Sequence, residues 1–156
     1  MNFQEKYNEY KQRREAKKFF NQNNDYHLDP IDYVKLFFIG TISGTVVSLI
    51  FNVLTVHLSI SLSIFYLLTG YAVGYTVLKV AKYGSEKTGI ISLFCYFISL
   101  WFGTSGMMAY FFPYLQATNF IFECLYMGMM SLLHQNIITY LFIFAGAFFA
   151  YSIGKD

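Results

Sequence analysis

Two side chains in this sequence have the types that covalent catalysis needs. Ser105 lies in the run Gly103-Thr104-Ser105-Gly106, and His134 heads the polar trio His134-Gln135-Asn136. A serine hydroxyl becomes a nucleophile when a histidine within hydrogen-bond reach takes its proton. Such a dyad requires the two residues at one level on neighbouring elements, so the elements that carry them decide whether it can form. The three histidines and two cysteines are otherwise scattered singly, without His-x-x-x-His or Cys-x-x-Cys spacing, and no metal centre is expected. No glycine-rich phosphate loop is present either, so no nucleotide or other cofactor is expected.

Those elements are read from the distribution of charge. Leu36 to Leu78 is forty-three residues without an Asp, Glu, Lys or Arg. One bilayer span takes roughly 20 apolar residues, so this block is long enough for two crossings and a turn. Two further charge-free blocks, Thr88 to Phe122 and Cys124 to Gly154, supply one crossing each. The chain is 56% hydrophobic and 13% charged, and its apolar blocks lack the polar stripe of a water-exposed helix. The expected fold is all-α: an integral membrane four-helix bundle of two hairpins, residues 29–156, preceded by an N-terminal cytoplasmic amphipathic helix and linker, residues 1–28. The predicted spans are about 33–54, 59–78, 89–112 and 132–153, with a turn near Thr55 to Leu58. Phe120 to about Met130 exceeds what one crossing needs and is expected as an interfacial helix or a helical extension.

All eleven Lys and Arg fall before Leu36, between the second and third spans, or at the C-terminus. The positive-inside rule then predicts both termini in the cytoplasm, of a bacterial inner membrane by the clean asymmetry. Some thirty-five hydrophilic residues precede the first apolar run, so an uncleaved first span is expected in place of a signal peptide. In the N-terminal segment Lys11, Arg13, Arg14, Lys17 and Lys18 accompany Phe3, Tyr7 and Tyr10, a pattern suited to contact with anionic headgroups or to a solvated tail that fixes orientation. Asp29-Pro30 has the N-cap and first-turn chemistry of a helix start. The net charge of +2 is too small to imply a nucleic-acid partner. Cys95 and Cys124 fall at different depths in this threading, so no disulfide is expected.

Small residues recur at four-residue spacing: Gly40 with Gly44, Gly70 with Gly74, Gly146 with Ala150, together with Gly103 and Gly106. On a membrane helix this spacing lets two backbones approach. Ser63–Lys79 also aligns without gaps on Thr139–Lys155, matching Gly70 to Gly146 and Gly74 to Ala150. That is the mark of a parallel duplication, or of chance likeness between two apolar helices. The Gly-x-x-x-Gly-Tyr arrangement in a four-span chain resembles small uncharacterised bacterial membrane proteins built from glycine-rich hairpins, a likeness that implies no activity. Gly103-Thr104-Ser105-Gly106 resembles the Gly-x-Ser-Gly motif of rhomboid intramembrane serine proteases. That resemblance implies Ser105 as nucleophile and His134 as its base, although those proteases have at least six crossings.

At about 1.5 Å per residue, Asn52, Ser105 and His134 each lie roughly 26 to 31 Å from the nearest cytoplasmic lysine, in the outer half. With His57, Gln116, Asn119, Glu123, Gln135 and Asn136 they make a polar outer end. Either they line a pocket or they bond separately to water, headgroups and neighbouring helices. The expected function is an interaction, assembly or accessory subunit of a membrane complex, packing on lipid, on itself or on another membrane protein. The alternative is a small oligomeric transporter or channel with an outward-facing polar vestibule. A serine hydrolase using Ser105 and His134 is the third reading.

Overall fold

A computed structural model describes residues 11–13, 15, 30–58, 63–111 and 120–156. Five helices are found beyond residue 29: α1 Pro30–Leu58, α2 Ile64–Ala81, α3 Glu86–Phe111, α4 Phe120–Leu133 and α5 Ile137–Lys155. Four of these, all except α4, are long and apolar enough to cross a membrane. Residues 1–30 form a separate unit, of which Lys11, Gln12, Arg13 and Glu15 are helical and exposed. Arg14, Lys17 and Lys18, like Asp29, Gln116 and Asn119, lie outside the described residues.

The helix bounds depart from the sequence reading in two places. Thr55–Leu58 continues α1 where the sequence predicts a turn. The fourth long helix begins at Ile137 and not near Leu132. The cause is local: of three adjacent polar residues two fold back on the preceding turn and the third starts the next helix, as described below, which splits the last apolar block into α4 and α5.

Packing is inside-out relative to a water-soluble bundle. The interior holds Ser48, Thr69, Thr88, Ser92 and Ser99, each at most 2% exposed, while Phe38, Ile42, Phe144 and Phe148 are 60% exposed or more. This arrangement is the one an apolar solvent favours, since helices there associate through close small-residue packing and hydrogen bonds. The hydroxyls inside are satisfied largely by carbonyls one turn back, as in Thr69 Oγ1 to Phe65 O at 2.9 Å and Ser92 Oγ to Thr88 O at 2.9 Å.

α3 is the central helix. Gly40 faces Val77 and Cys95, and Gly44 faces Val73 and Ser99, so α1 runs against α2 and alongside α3. Gly103 faces Ser48 and Gly106 faces Leu49, continuing the α1–α3 contact. On the other flank α5 runs against α3: Gly154 meets Ser92, Gly89 meets Tyr151, and Tyr96 donates to Ile143 O at 3.1 Å. α2 and α5 run in the same direction and touch at equivalent positions. Gly70 lies on Gly146, Gly74 on Ala150, and Ser63 Oγ is 3.5 Å from Thr139 Oγ1. The register in which the two sequences align is therefore also the register of contact.

The bundle has two chemically different ends. Lys35, Lys79, Lys82, Lys87 and Lys155 lie where α1 and α3 begin and α2 and α5 finish. There Lys155 Nζ pairs with Glu86 at 3.2 Å, and a capping box opens α3: Ser85 N donates to Thr88 Oγ1 at 2.8 Å, and Thr88 N to Ser85 Oγ at 3.2 Å. The Thr88 hydroxyl is also 2.7 Å from the carbonyl of Gly154, one of the last-turn acceptors that α5 cannot satisfy itself. Thr88→Val removes the half of the box that Thr88 Oγ1 makes with Ser85 N, and that tie, at once. It should lower stability by about 1 to 2 kcal/mol, read as a drop in the thermal midpoint of the detergent-solubilised protein.

Candidate functional site: a polar cavity at the end remote from the lysines

At the other end, side chains from all five helices converge on one partly enclosed cavity of about 190 Å³. α1 contributes Ser48, Asn52 and Thr55, and α2 contributes Tyr66 and Thr69 with Ser63 just ahead of it. Thr104 comes from α3, Ser131 from α4, Thr139 from α5, and Gln135 from the break between the last two. Phe51, Phe65, Val56, Leu100 and Met107 complete the wall. The rings of Phe51 and Phe65 stack at 4.4 Å with 3° between their planes, so α1 and α2 meet there through a flat aromatic pair.

Helical spacing explains the lining. Ser48, Asn52 and Thr55 lie four and three residues apart, on one face of α1 that continues from Gly40 and Gly44. Tyr66 and Thr69 share a face of α2 in the same way. The glycines bring the helices together nearer the lysines, and the larger polar side chains hold them apart here. Where Gly146 meets Tyr66 O and the Tyr96 hydroxyl, the contact is close.

Several lining hydroxyl protons are already spent. Thr55 donates to Phe51 O at 2.8 Å, Thr69 to Phe65 O, and Thr104 to Leu100 O at 3.0 Å or Trp101 O at 2.9 Å. Asn52 Nδ2 donates to Ser48 Oγ at 3.3 Å, and Gln135 Nε2 to Ser131 O at 2.7 Å. Among the described residues Tyr66 is the one titratable side chain in the wall, which holds no carboxylate, ammonium, guanidinium or imidazole.

The polar outer cluster expected from the sequence is divided by the structure. Asn52 and Gln135 enter the cavity wall, whereas His134, Asn136 and Glu123 do not. Glu123 lies beside Phe122, Tyr126 and Met127 in a shallow surface depression on α4. His134 is exposed, with Nδ1 2.9 Å from Met130 O, and Asn136 occupies the N-cap of α5. Together with Gln135 on Ser131 O and Tyr140 Oη on Leu133 O at 2.6 Å, His134 satisfies the carbonyls that end α4. The trio is therefore a cap that splits one apolar block into two helices.

Ser105 and His134 are engaged separately. Ser105 is buried, donates to Trp101 O at 2.8 Å and is covered by Gly128, and no hydrogen bond joins it to His134. Cys95 and Cys124 are both buried free thiols. Among the described residues no three His, Cys, Asp or Glu gather closely enough to hold a metal ion.

Several cavity residues carry no motif. Ser48, Thr69, Thr104 and Thr139 give no signal of their own in the sequence, and only their common level opposite the lysines could have grouped them. Trp101 is equally silent in the sequence: its Nε1 donates to Leu125 O at 2.9 Å and fastens α4 to α3. No protein-family model, curated protein or solved structure matches the chain.

Proposed function

We propose that this chain is a multi-pass integral membrane protein. It crosses the bilayer four times with both termini in the cytoplasm, and it admits a small solute to a vestibule opening on the outer side. The observation that carries this reading is the convergence of polar side chains from five helices on one cavity at the end without lysines. Separate bonding to headgroups would not gather Asn52, Thr69, Thr104, Gln135 and Thr139 around common space. The positive-inside rule supports the orientation, and the apolar exterior supports the setting. Transport or solute sensing, within an oligomer or a larger membrane complex, is the activity that such a vestibule serves.

The accessory-subunit reading draws on the small-residue faces, but here those faces are filled within the chain. Gly40, Gly44, Gly70, Gly74, Gly103, Gly106 and Gly146 each meet another helix of the same molecule. What remains for lipid or a partner is the Phe- and Ile-rich exterior. The hydrolase reading would need Ser105 freed from Gly128 and brought to an imidazole.

The test is single-cysteine topology in intact cells, after Cys95 and Cys124 are replaced by alanine. His57→Cys should react with a membrane-impermeant maleimide, and Lys87→Cys should react only after permeabilisation, both positions being exposed. The opposite pattern, or equal reaction at both, would overturn the proposed threading.

A further inference from the structure

Resting on the vestibule reading, we infer that the cavity takes a small uncharged solute bearing hydroxyl or amide groups, of about the size of glycerol or urea. Four features of the wall select this class.

The first is charge. An ion entering a partly enclosed site loses hydration worth several kcal/mol unless a counter-charge meets it, and the described wall has none.

The second is the field of the backbone. A helix carries about half a positive charge at its N-terminus and half a negative charge at its C-terminus. α1 and α3 bring their C-terminal halves to this end, and α2 and α5 their N-terminal halves, so the contributions oppose one another. The last carbonyls of α4 are already bonded by His134, Gln135 and Tyr140. Neither sign of ligand charge is favoured.

The third is hydrogen-bonding valence. Thr55, Thr69 and Thr104, all in the wall, have given their protons to carbonyls, so their oxygens are left as acceptors. Asn52 and Gln135 each retain a carbonyl oxygen and one N–H after their single bonds. The wall thus offers both acceptors and donors, and a ligand matches them when it both donates and accepts, as hydroxyl and amide groups do. The stacked Phe51 and Phe65 rings, with Leu100, suit the C–H face of such a molecule.

The fourth is size. A cavity of about 190 Å³ falls below the range of about 300 to 1,000 Å³ usual for drug-sized ligands, which points to a molecule smaller than a disaccharide.

The experiment uses the full chain in detergent with Cys95→Ala, Cys124→Ala and Thr55→Cys, the new thiol lying in the cavity wall. A small uncharged reagent, methyl methanethiosulfonate, reports whether the wall is reachable, and added solutes report what occupies it. A bound solute slows modification by the factor 1 + [L]/Kd, about tenfold at about nine times Kd. Glycerol or urea should slow it in this way, whereas ammonium chloride, sodium acetate and sucrose at equal concentration should not. Adding Asn52→Leu with Gln135→Leu should abolish the protection while the thiol at position 55 still reacts. Protection by ammonium or acetate alone would overturn the uncharged class, and protection by sucrose would overturn the size limit. Rapid modification that no solute slows would overturn the inference and leave the vestibule standing. A thiol that never reacts in the folded protein would remove the vestibule itself.

Discussion

Gly70→Ala should destabilise the folded protein by about 1 to 3 kcal/mol, the range for overfilling a packed interior. Gly106→Ala, a chemically identical change on a neighbouring helix, should be neutral or slightly stabilising. The difference lies in what each new methyl meets. At Gly70 it would fall on the carbonyl oxygen of Gly146, with that residue's carbonyl carbon at 2.7 Å and Cα at 2.9 Å. All three are backbone atoms, so no side chain can turn aside and α2 must move away from α5. That movement strains the Gly74–Ala150 contact, the Ser63–Thr139 pair and the Tyr96–Ile143 hydrogen bond, because one seam holds them all. At Gly106 the nearest atom is Leu49 Cδ1 at 2.5 Å, the tip of a flexible side chain that can change rotamer. Alanine there also regains up to about 1 kcal/mol of helix propensity. Thermal or denaturant unfolding of the two variants in the same detergent checks the contrast. Equal losses would show that the α2–α5 seam carries no special closeness, and Gly70→Leu should then fold as well, where the present packing leaves it no room.

The same seam marks how far the sequence could be read. The charge-free blocks give the number of long helices, because no soluble packing leaves forty-three residues without a charged side chain. Glycines at four-residue spacing give the faces that approach. Which faces meet is another matter: Gly70 could have packed on Gly40 as readily as on Gly146, since small-residue pairs carry no address. The match of Ser63–Lys79 to Thr139–Lys155 pointed to the pair that meets, since α2 and α5 touch in the register of that alignment.

The break at His134–Asn136 was hidden for a different reason. Three polar residues near the expected start of a crossing read as an interfacial boundary or as chemistry. Only the structure reveals that two of them, with Tyr140, turn back to cap the turn before. Ser105, in its motif-like setting, is taken up in packing. Its hydroxyl satisfies Trp101 O, and the lack of a side chain at Gly128 makes room for it. The cavity was half legible. Asn52 and Gln135 stand out as amides in apolar surroundings, while the threonines beside them have the ordinary look of helix-interior residues bonded to the preceding turn.

Gly128→Val should loosen one part of the molecule and spare the rest. A Cβ at this position meets Ser105 Oγ, with Ser105 N at 2.8 Å and Cα at 2.9 Å, so again backbone blocks backbone. Here, however, the displaced element is α4, fastened to α3 by Trp101 Nε1 on Leu125 O and by Thr104 Oγ1 near Gly128 O at 3.3 Å. The α1–α3, α2–α5 and α3–α5 contacts do not pass through it. A local cost of about 1 to 3 kcal/mol corresponds to a 5- to 150-fold change in an opening equilibrium. Amide hydrogen exchange in α4 peptides should quicken by that factor, while peptides from α2 and α5 change by less than about twofold, as expected for sub-global opening. Ser131 and Gln135 leave the cavity wall with α4. In the Thr55→Cys background, protection by glycerol or urea should therefore be lost even though the thiol stays reactive. Uniform acceleration across all helices would mean that α4 is part of the load on the central bundle, and unchanged exchange in α4 would mean that the Gly128–Ser105 contact can yield without cost.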